Sequence, residues 1–549
     1  MTRPTRRTVL GAGLAATGSG LLTACSGTMS GMDHSAGGSG TQPAADYITP
    51  DSEQIGATEA LRKPGPERKV KLTAVETPLD LGGGRTVRSW AYGDELPGKE
   101  VRVTAGDTLA LTLANSLPEA TSVHWHGLAL RNDMDGVPGL TQRDIKPGGS
   151  FDYRFAVAHP GTYWLHPHSG VQQDRGLYAP LIVEDPREPL KYDKEWVIVL
   201  DDWVDGVDGS TPDAVLAELS KGMGGMDHGD MDMDMGGSGA GGTEGHDMSN
   251  MSMTGPDSLS PESSPESPSP KSSGPSRMLM GATSDLLGGD AGDVGYPYYL
   301  INGRTPEAPG TFTAEPGDRI RLRIINAGGD TAFRVALGGH RLTVTHTDGF
   351  PVEHVRADAL LLGMGERVDA LVTVGSGAFP LTALAEGKNR TALAVLRTGG
   401  GAAPTASVRP RELDGKVVHG GQLKAAESVR LDSRRPDRTV ELKLTGSMAT
   451  YDWAINGEKY DPAKRHPVRA GERVRLAFVN DTTMWHPMHL HGHTYALADG
   501  GARKDTSIVL PGERLEVDFD ADNPGLWMLH CHNVYHAESG MMTVLGYLK

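Results

Sequence analysis

Near the C-terminus of this 549-residue chain, residues 530–541 read HCHNVYHAESGM. Cys531, His536 and Met541 follow one another at steps of five. A thiolate, an imidazole and a weak thioether are ligands of a blue-copper electron-transfer site, which needs one further imidazole. His486, three residues before His489 in the run HPMHLH, is its natural source. Met541 reads as the weak axial ligand; the alternative is a core-filling methionine beside Met542. Neighbouring side chains on a strand point to opposite faces. His530 and His532 therefore turn away from the Cys531 metal toward a second metal site, over a Cys–His path on the order of 10 Å.

Three further H-x-H pairs complete the pattern: His124/His126, His166/His168 and His489/His491. Both histidines of such a pair face one side of a strand. Eight imidazoles exceed the needs of one metal and suit a cluster of about three. One H-x-H alone would be read as an ordinary surface or core pair; four at equivalent places in a repeat would not.

The repeat is visible in the elements that must position these residues. A segment of form G-[D/E]-x-φ-x-φ-x-φ-x-N, where φ is apolar, occurs at 106–115, 317–326 and 471–480. Each copy predicts a turn followed by a strand with one buried face. His124 and His489 each lie nine residues after the closing Asn, where the middle copy has Val335. Pro147-Gly148 precedes His166 by the spacing that separates Pro511-Gly512 from His530. The chain thus predicts an all-β protein of three related domains, with the metal cluster shared by the first and third. The expected boundaries are 67–188, 189–405 and 411–549. Abundant glycine (73) and few aromatics fit many short strands with tight turns.

Outside the domains, residues 1–25 have a basic start with Arg6-Arg7, a mild apolar run, and Leu22-Thr23-Ala24-Cys25. This predicts a twin-arginine export signal ending in a lipobox-like Cys25, with an ordinary secretory signal as the alternative. Residues 26–66 read as a disordered tether. Only two cysteines are present, one in this leader and one in the metal motif, so no disulfide is expected. The net charge of −17 disfavours nucleic acid as a partner. An insertion in the middle domain, about 205–293, contains a Met-rich stretch and a Ser/Pro-rich stretch at 256–277 expected to be disordered. The former holds Met223, Met226, His228, Met231, Met233, Met235, His246, Met248, Met251 and Met253. Thioethers select Cu(I), and methionine in a hydrophilic segment has no core to fill, so the stretch reads as a Cu(I) recruiter. The alternative is a flexible acidic loop with incidental methionines.

With HWH (124–126), HPH (166–168), HPMHLH (486–491) and HCHNVYHAESGM (530–541) in place, the chain resembles the three-domain multicopper oxidases, the family of laccases and bacterial copper-efflux and copper-resistance oxidases. The resemblance covers about residues 70–549 and implies three cupredoxin-like Greek-key β-barrel domains and a usually monomeric enzyme. It implies four copper ions: type 1 at His486, Cys531, His536 and Met541; type 2 at His124 and His489; and a type 3 pair at His126, His166, His168, His491, His530 and His532. It further implies four one-electron oxidations at type 1 copper, transfer through Cys531, and reduction of dioxygen to two waters. Asp135, in an Asp-Gly turn, matches an acidic position that the family uses near the cluster; a plain turn residue is the alternative. Many bacterial relatives carry a second acid directly after the second type 1 histidine, where this chain has Ala537, with Glu538 one further on. Three functions follow in descending order: an extracytoplasmic cuprous oxidase, a laccase acting on phenols or aromatic amines, and a non-catalytic copper-binding scaffold.

Overall fold

The computed structural model describes residues 46–223 and 274–549. Each copy of the repeat becomes a central strand of its own sheet: Thr108–Asn115, Arg319–Asn326 and Arg473–Asn480. Each pairs in parallel with the opening strand of its domain, within Glu67–Gly82, Lys194–Trp203 and Arg438–Thr445. A second sheet faces each first one, giving two-sheet units of four and four, six and six, and six and five strands. These are three consecutive cupredoxin-like barrels.

The conserved letters of the repeat have a physical basis. The glycines at 106, 317 and 471 all have positive φ, +98°, +95° and +85°, which other residues adopt only at a cost. The acid after each glycine accepts the backbone N–H three residues before it, from Thr104, Glu315 and Arg469. The closing Asn makes the same three bonds in every domain. Asn326 donates from Nδ2 to the carbonyls of Thr331 and Leu362, and its Oδ1 accepts the Gly328 N–H. Asn115 and Asn480 repeat this pattern with Glu119, Ile145 and Leu117, and with Met484, Val509 and Thr482. Each Asn thereby fixes the start of the loop that delivers the H-x-H strand. Asn326→Ala strands two buried carbonyls and one N–H without removing a candidate ligand. We expect a loss of about 2–4 kcal/mol, read as a lower midpoint for the affected unfolding transition.

Three expectations need correction. Residues 46–66 are ordered, not a loose tether: Ile48 and Ile55 enter the core, and Glu53–Leu61 is a helix. Its Glu59 accepts the Ala156 N–H at 2.6 Å and pairs with Arg62. Polar composition hid two apolar anchors. Residues 411–419 stay with the middle domain, because strand Val417–His419 extends its second sheet beside Ala359–Leu362. The first strand of the third domain begins at Arg438. The described ends of the insertion are pinned as well. Helix Pro212–Leu219 is capped by Thr211, and Arg277 bonds Glu218 and Ser210. The insertion lies between two strands that pair antiparallel, Lys194–Trp203 and Tyr298–Ile301.

Candidate metal centre

The first and third domains present their histidines in the same register. His124 pairs with His166 across strands His124–His126 and Gly161–His166, and His489 pairs with His530 across His486–Leu490 and Leu526–Cys531. Cys531 stands where Pro167 stands in the first domain. The eight imidazoles meet at the interface of these domains and divide into three groups. His126, His166 and His532 converge, as do His168, His491 and His530; the donor atoms of each triad lie within 4.8 Å of one another. His124 and His489 remain, within the same reach of His126.

The tautomers are set from outside the cluster. His124 and His489 place Nδ1 3.0 Å from the carbonyls of Asp135 and Asp505, and His166 and His530 place theirs 3.0 and 2.8 Å from Pro167 O and Cys531 O. His491 Nδ1 meets Asp135 Oδ2 at 2.9 Å. A ring that donates from Nδ1 leaves its Nε2 lone pair free. His126 is reversed: its Nε2 meets Asp505 Oδ1 at 3.1 Å and Thr506 Oγ1 at 3.0 Å, so Nδ1 is free. The freed nitrogens face one another: His530 Nε2 is 3.2 Å from His491 Nε2 and 3.4 Å from His168 Nε2, and His126 Nδ1 is 3.2 Å from His532 Nε2. Nε2 of His124, His166 and His489 are buried with no partner at all. Burial, and then the neighbouring imidazoles, hold His166, His168, His491, His530 and His532 well below the usual histidine range. Neutral imidazoles with inward lone pairs are what copper requires.

The second constellation lies one residue away. Cys531 Sγ is 3.7 Å from Nδ1 of both His486 and His536, and those two nitrogens are 3.1 Å apart. His536 sits on the short helix Val534–Ser539, whose Asn533 side chain accepts the N–H groups of Tyr535 and His536. Met541 closes the turn through backbone bonds to Cys531 and His536, and its side chain is fully buried. The two sites are linked covalently through the 530–532 backbone and by the His530 Nδ1–Cys531 O bond.

Models of the multicopper oxidase family match residues 74–188, 283–401 and 433–547. The chain is 45% identical to multicopper oxidase MmcO of Mycobacterium tuberculosis, over 100% of this chain and 97% of that protein. The chain belongs to the multicopper oxidase family. It is also 32% identical to a copper resistance protein A homolog of Pseudomonas syringae pv. tomato, over 86% of this chain and 90% of that protein. A crystal structure of a multicopper oxidase from Pseudomonas thermotolerans superposes with a TM-score of 0.61 at 25% identity, covering 88% of this chain and 99% of that one.

Within this multicopper oxidase, Asp135 lies both in a turn and beside two of the candidate ligands. It occupies the turn, where Gly136 has φ +84° and an added Cβ would lie 1.7 Å from Val123 O. It is also fully buried and touches histidines of the first and third domains. Glu538 hydrogen-bonds none of the candidate ligands among the described residues; burial and then Asp213 push its carboxyl up to about 7. Met226 to Met253 and Cys25 lie outside the described residues.

Three contacts escaped the sequence reading. Asp505 mirrors Asp135: its carbonyl takes its own domain's first histidine and its carboxylate takes the other domain's second. Burial would raise the Asp505 carboxyl, but the Arg367 guanidinium holds it well below the carboxylate range. The repeat could have prompted a search for this partner, but Asp135 follows its H-x-H by nine residues and Asp505 by fourteen. Asp293, from the end of the insertion, places Oδ2 2.9 Å from His536 Nε2. Burial opposes charge on His536, yet Asp293 and Cys531 together lift it to about 10 in the metal-free chain. Trp453 covers the same imidazole at 4.5 Å between ring centroids.

Proposed function

We propose that this multicopper oxidase is a cuprous oxidase that takes electrons from Cu(I) and lowers copper toxicity. The observation that carries the reading is the covering of His536. Its Nε2 edge, the side facing away from Cys531, is bonded to Asp293, and neither His536 nor His486 is exposed. A phenol has no imidazole edge to stack on there, whereas a cuprous ion needs only soft and carboxylate ligands within tunnelling reach. The insertion is rooted at this face. Met223 N–H bonds Ala449 O, two residues from Tyr451, whose ring lies 6.2 Å from His536. The returning limb bonds Leu279 N–H to Asp293 O. Met223 and Met280 are about half exposed. Three similar proteins are named for copper resistance.

In this reading His486, Cys531, His536 and Met541 would hold type 1 copper, the two triads would hold the type 3 pair, and His124 and His489 would hold type 2 copper. Copper in these positions supplies one-electron chemistry, so that four Cu(I) donors and four protons balance the reduction of one dioxygen to two waters. The chain's own part is to carry electrons through the Cys531 thiolate and the flanking backbone. Asp135 holds an ionisable carboxyl group beside His491 that takes up protons and passes them on to the reaction, and burial excludes bulk water. The enzyme acts as a monomer outside the cytoplasm, exported by the twin-arginine signal and anchored through a lipid on Cys25. No helix among the described residues is long and apolar enough to cross a membrane.

The test is dioxygen uptake with Cu(I) and with a phenol after replacing the eight methionines of 223–253. Recruitment near the donor site predicts that kcat/KM for Cu(I) falls at least about tenfold, with the phenol rate unchanged. Unaltered cuprous kinetics would remove the insertion from the mechanism.

A further inference from the structure

The middle domain has Val335-Ala336-Leu337 where its neighbours carry an H-x-H pair, and among the described residues it supplies none of the cluster's candidate ligands. Its strand Arg367–Thr373 nevertheless sends a fully buried arginine into the interface where the cluster lies. The Arg367 guanidinium donates to Asp505 Oδ1 at 2.7 Å and Oδ2 at 2.6 Å, a two-pronged contact with the third domain. Its Nε donates to Thr162 O of the first domain at 3.1 Å, and its Nη1 to Gly365 O at 3.1 Å. One side chain therefore joins all three domains next to the histidines.

We propose that Arg367 is a positioning residue for the metal cluster: by fixing Asp505 in place it turns Nδ1 of His126, and Nε2 of His489, toward the metals. This rests on the reading of the eight imidazoles as copper ligands. An imidazole offers one lone pair, and which nitrogen carries it is set by the bond the other nitrogen makes. Of those among the eight cluster rings that have an assigned outer acceptor, only His126 donates from Nε2, and one of its two acceptors is the carboxylate that Arg367 holds. His489 donates to the carbonyl of the same residue.

The surroundings permit little adjustment. Asp348, also fully buried, accepts the N–H groups of Asp505 and Thr506, at 3.2 and 3.3 Å, and that of Arg367 at 2.9 Å. Lys504 bridges Asp348 and Glu366, each at 3.0 Å. The Gly365 backbone presses on the rings, so that a Cβ there would lie 2.9 Å from His532 and 3.0 Å from His126. A Cβ on Gly127 would lie 2.3 Å from Arg367 Nη2. The domain without ligands thus clamps the turn that orients one ligand from each of the other two.

A purely structural ion pair would also be buried and two-pronged, so the test needs a control. Arg321 provides one: it is equally buried in the middle domain and bonds Asp369 at 2.6 and 3.0 Å, with no contact to Asp505. The full chain, R367Q, R367Q/D505N and R321Q are loaded with copper. Copper per chain, the blue absorption, the electron paramagnetic resonance spectrum and the unfolding midpoint of the metal-free protein are measured. Expected in R367Q are a retained blue band, a perturbed type 2 signal, and cluster copper affinity lowered about 10- to 100-fold. R367Q/D505N, which removes both partners of the pair together, recovers the unfolding midpoint but not the cluster copper. R321Q lowers the midpoint and keeps the copper. The inference is overturned if R367Q holds a full cluster with an unchanged spectrum, or if R367Q/D505N regains copper together with its midpoint. Wild-type protein that takes up no cluster copper would overturn the copper-ligand reading itself, and this inference with it.

Discussion

Cys531→Ser yields a folded, colourless protein whose dioxygen uptake falls by on the order of 10³-fold, about 4 kcal/mol in the barrier, on Cu(I) and on phenol alike. Sulfur is the soft ligand of the constellation, and a hydroxyl of similar size replaces neither its metal affinity nor its electronic coupling. The fold should survive, because Cys531 makes its structural bond through its backbone N–H to Met541 O, and Ser fits the same space. The cluster should also survive, since His530 and His532 keep their strand and His530 keeps its bond to the residue 531 carbonyl. Copper analysis of the variant should show loss of the type 1 ion with the cluster ions retained. A blue, active C531S protein would remove Cys531 from the electron path.

Asp135→Asn is expected to slow reoxidation of the reduced enzyme by dioxygen about 10²- to 10³-fold, within the range for a general acid or base. Anaerobic reduction of the blue site by Cu(I) should be untouched. Asn preserves the side-chain volume and the Asp-Gly turn, and its carbonyl carries on accepting from His124. What it loses is an ionisable oxygen 2.9 Å from His491 Nδ1. Stopped-flow mixing of fully reduced protein with dioxygen separates the two half-reactions. Equal reoxidation rates for wild type and variant would leave Asp135 as a turn residue only.

The candidate metal centre was legible in the sequence because its histidines are placed locally. Each H-x-H pair uses the period of a single strand, and the three G-[D/E]…N segments mark equivalent strands without knowledge of any contact. The residues it left hidden act across distance. Arg367 meets Asp505 138 residues away, and Asp293 meets His536 243 residues away. Neither lies in a periodic pattern, and each is legible only once the domains are packed. Asp135 was singled out because it sits in an Asp-Gly turn nine residues after HWH; Asp505 occupies the mirrored position from a longer loop. The Glu53–Leu61 helix was missed for a different reason: its surroundings are polar, and two isoleucines, Ile48 and Ile55, suffice to dock the segment. Glu538 was placed by its nearness in sequence to Ala537, but one step along a helix turns a side chain to another face.

The covering of His536 joins these threads. A carboxylate from the limb that follows the Met-rich insertion caps the imidazole through which an organic donor would hand over its electron. The donor reading therefore depends on a contact that no local motif predicts, combined with a composition that only the sequence shows. The most direct test is steady-state dioxygen uptake by the copper-loaded full chain, with Cu(I) and with a small phenol as alternative donors. The cuprous reading predicts that kcat/KM for Cu(I) exceeds that for the phenol by at least about tenfold, a barrier difference of ~1.4 kcal/mol. A higher kcat/KM on the phenol, with cuprous turnover slow or absent, would contradict it and make the enzyme a laccase.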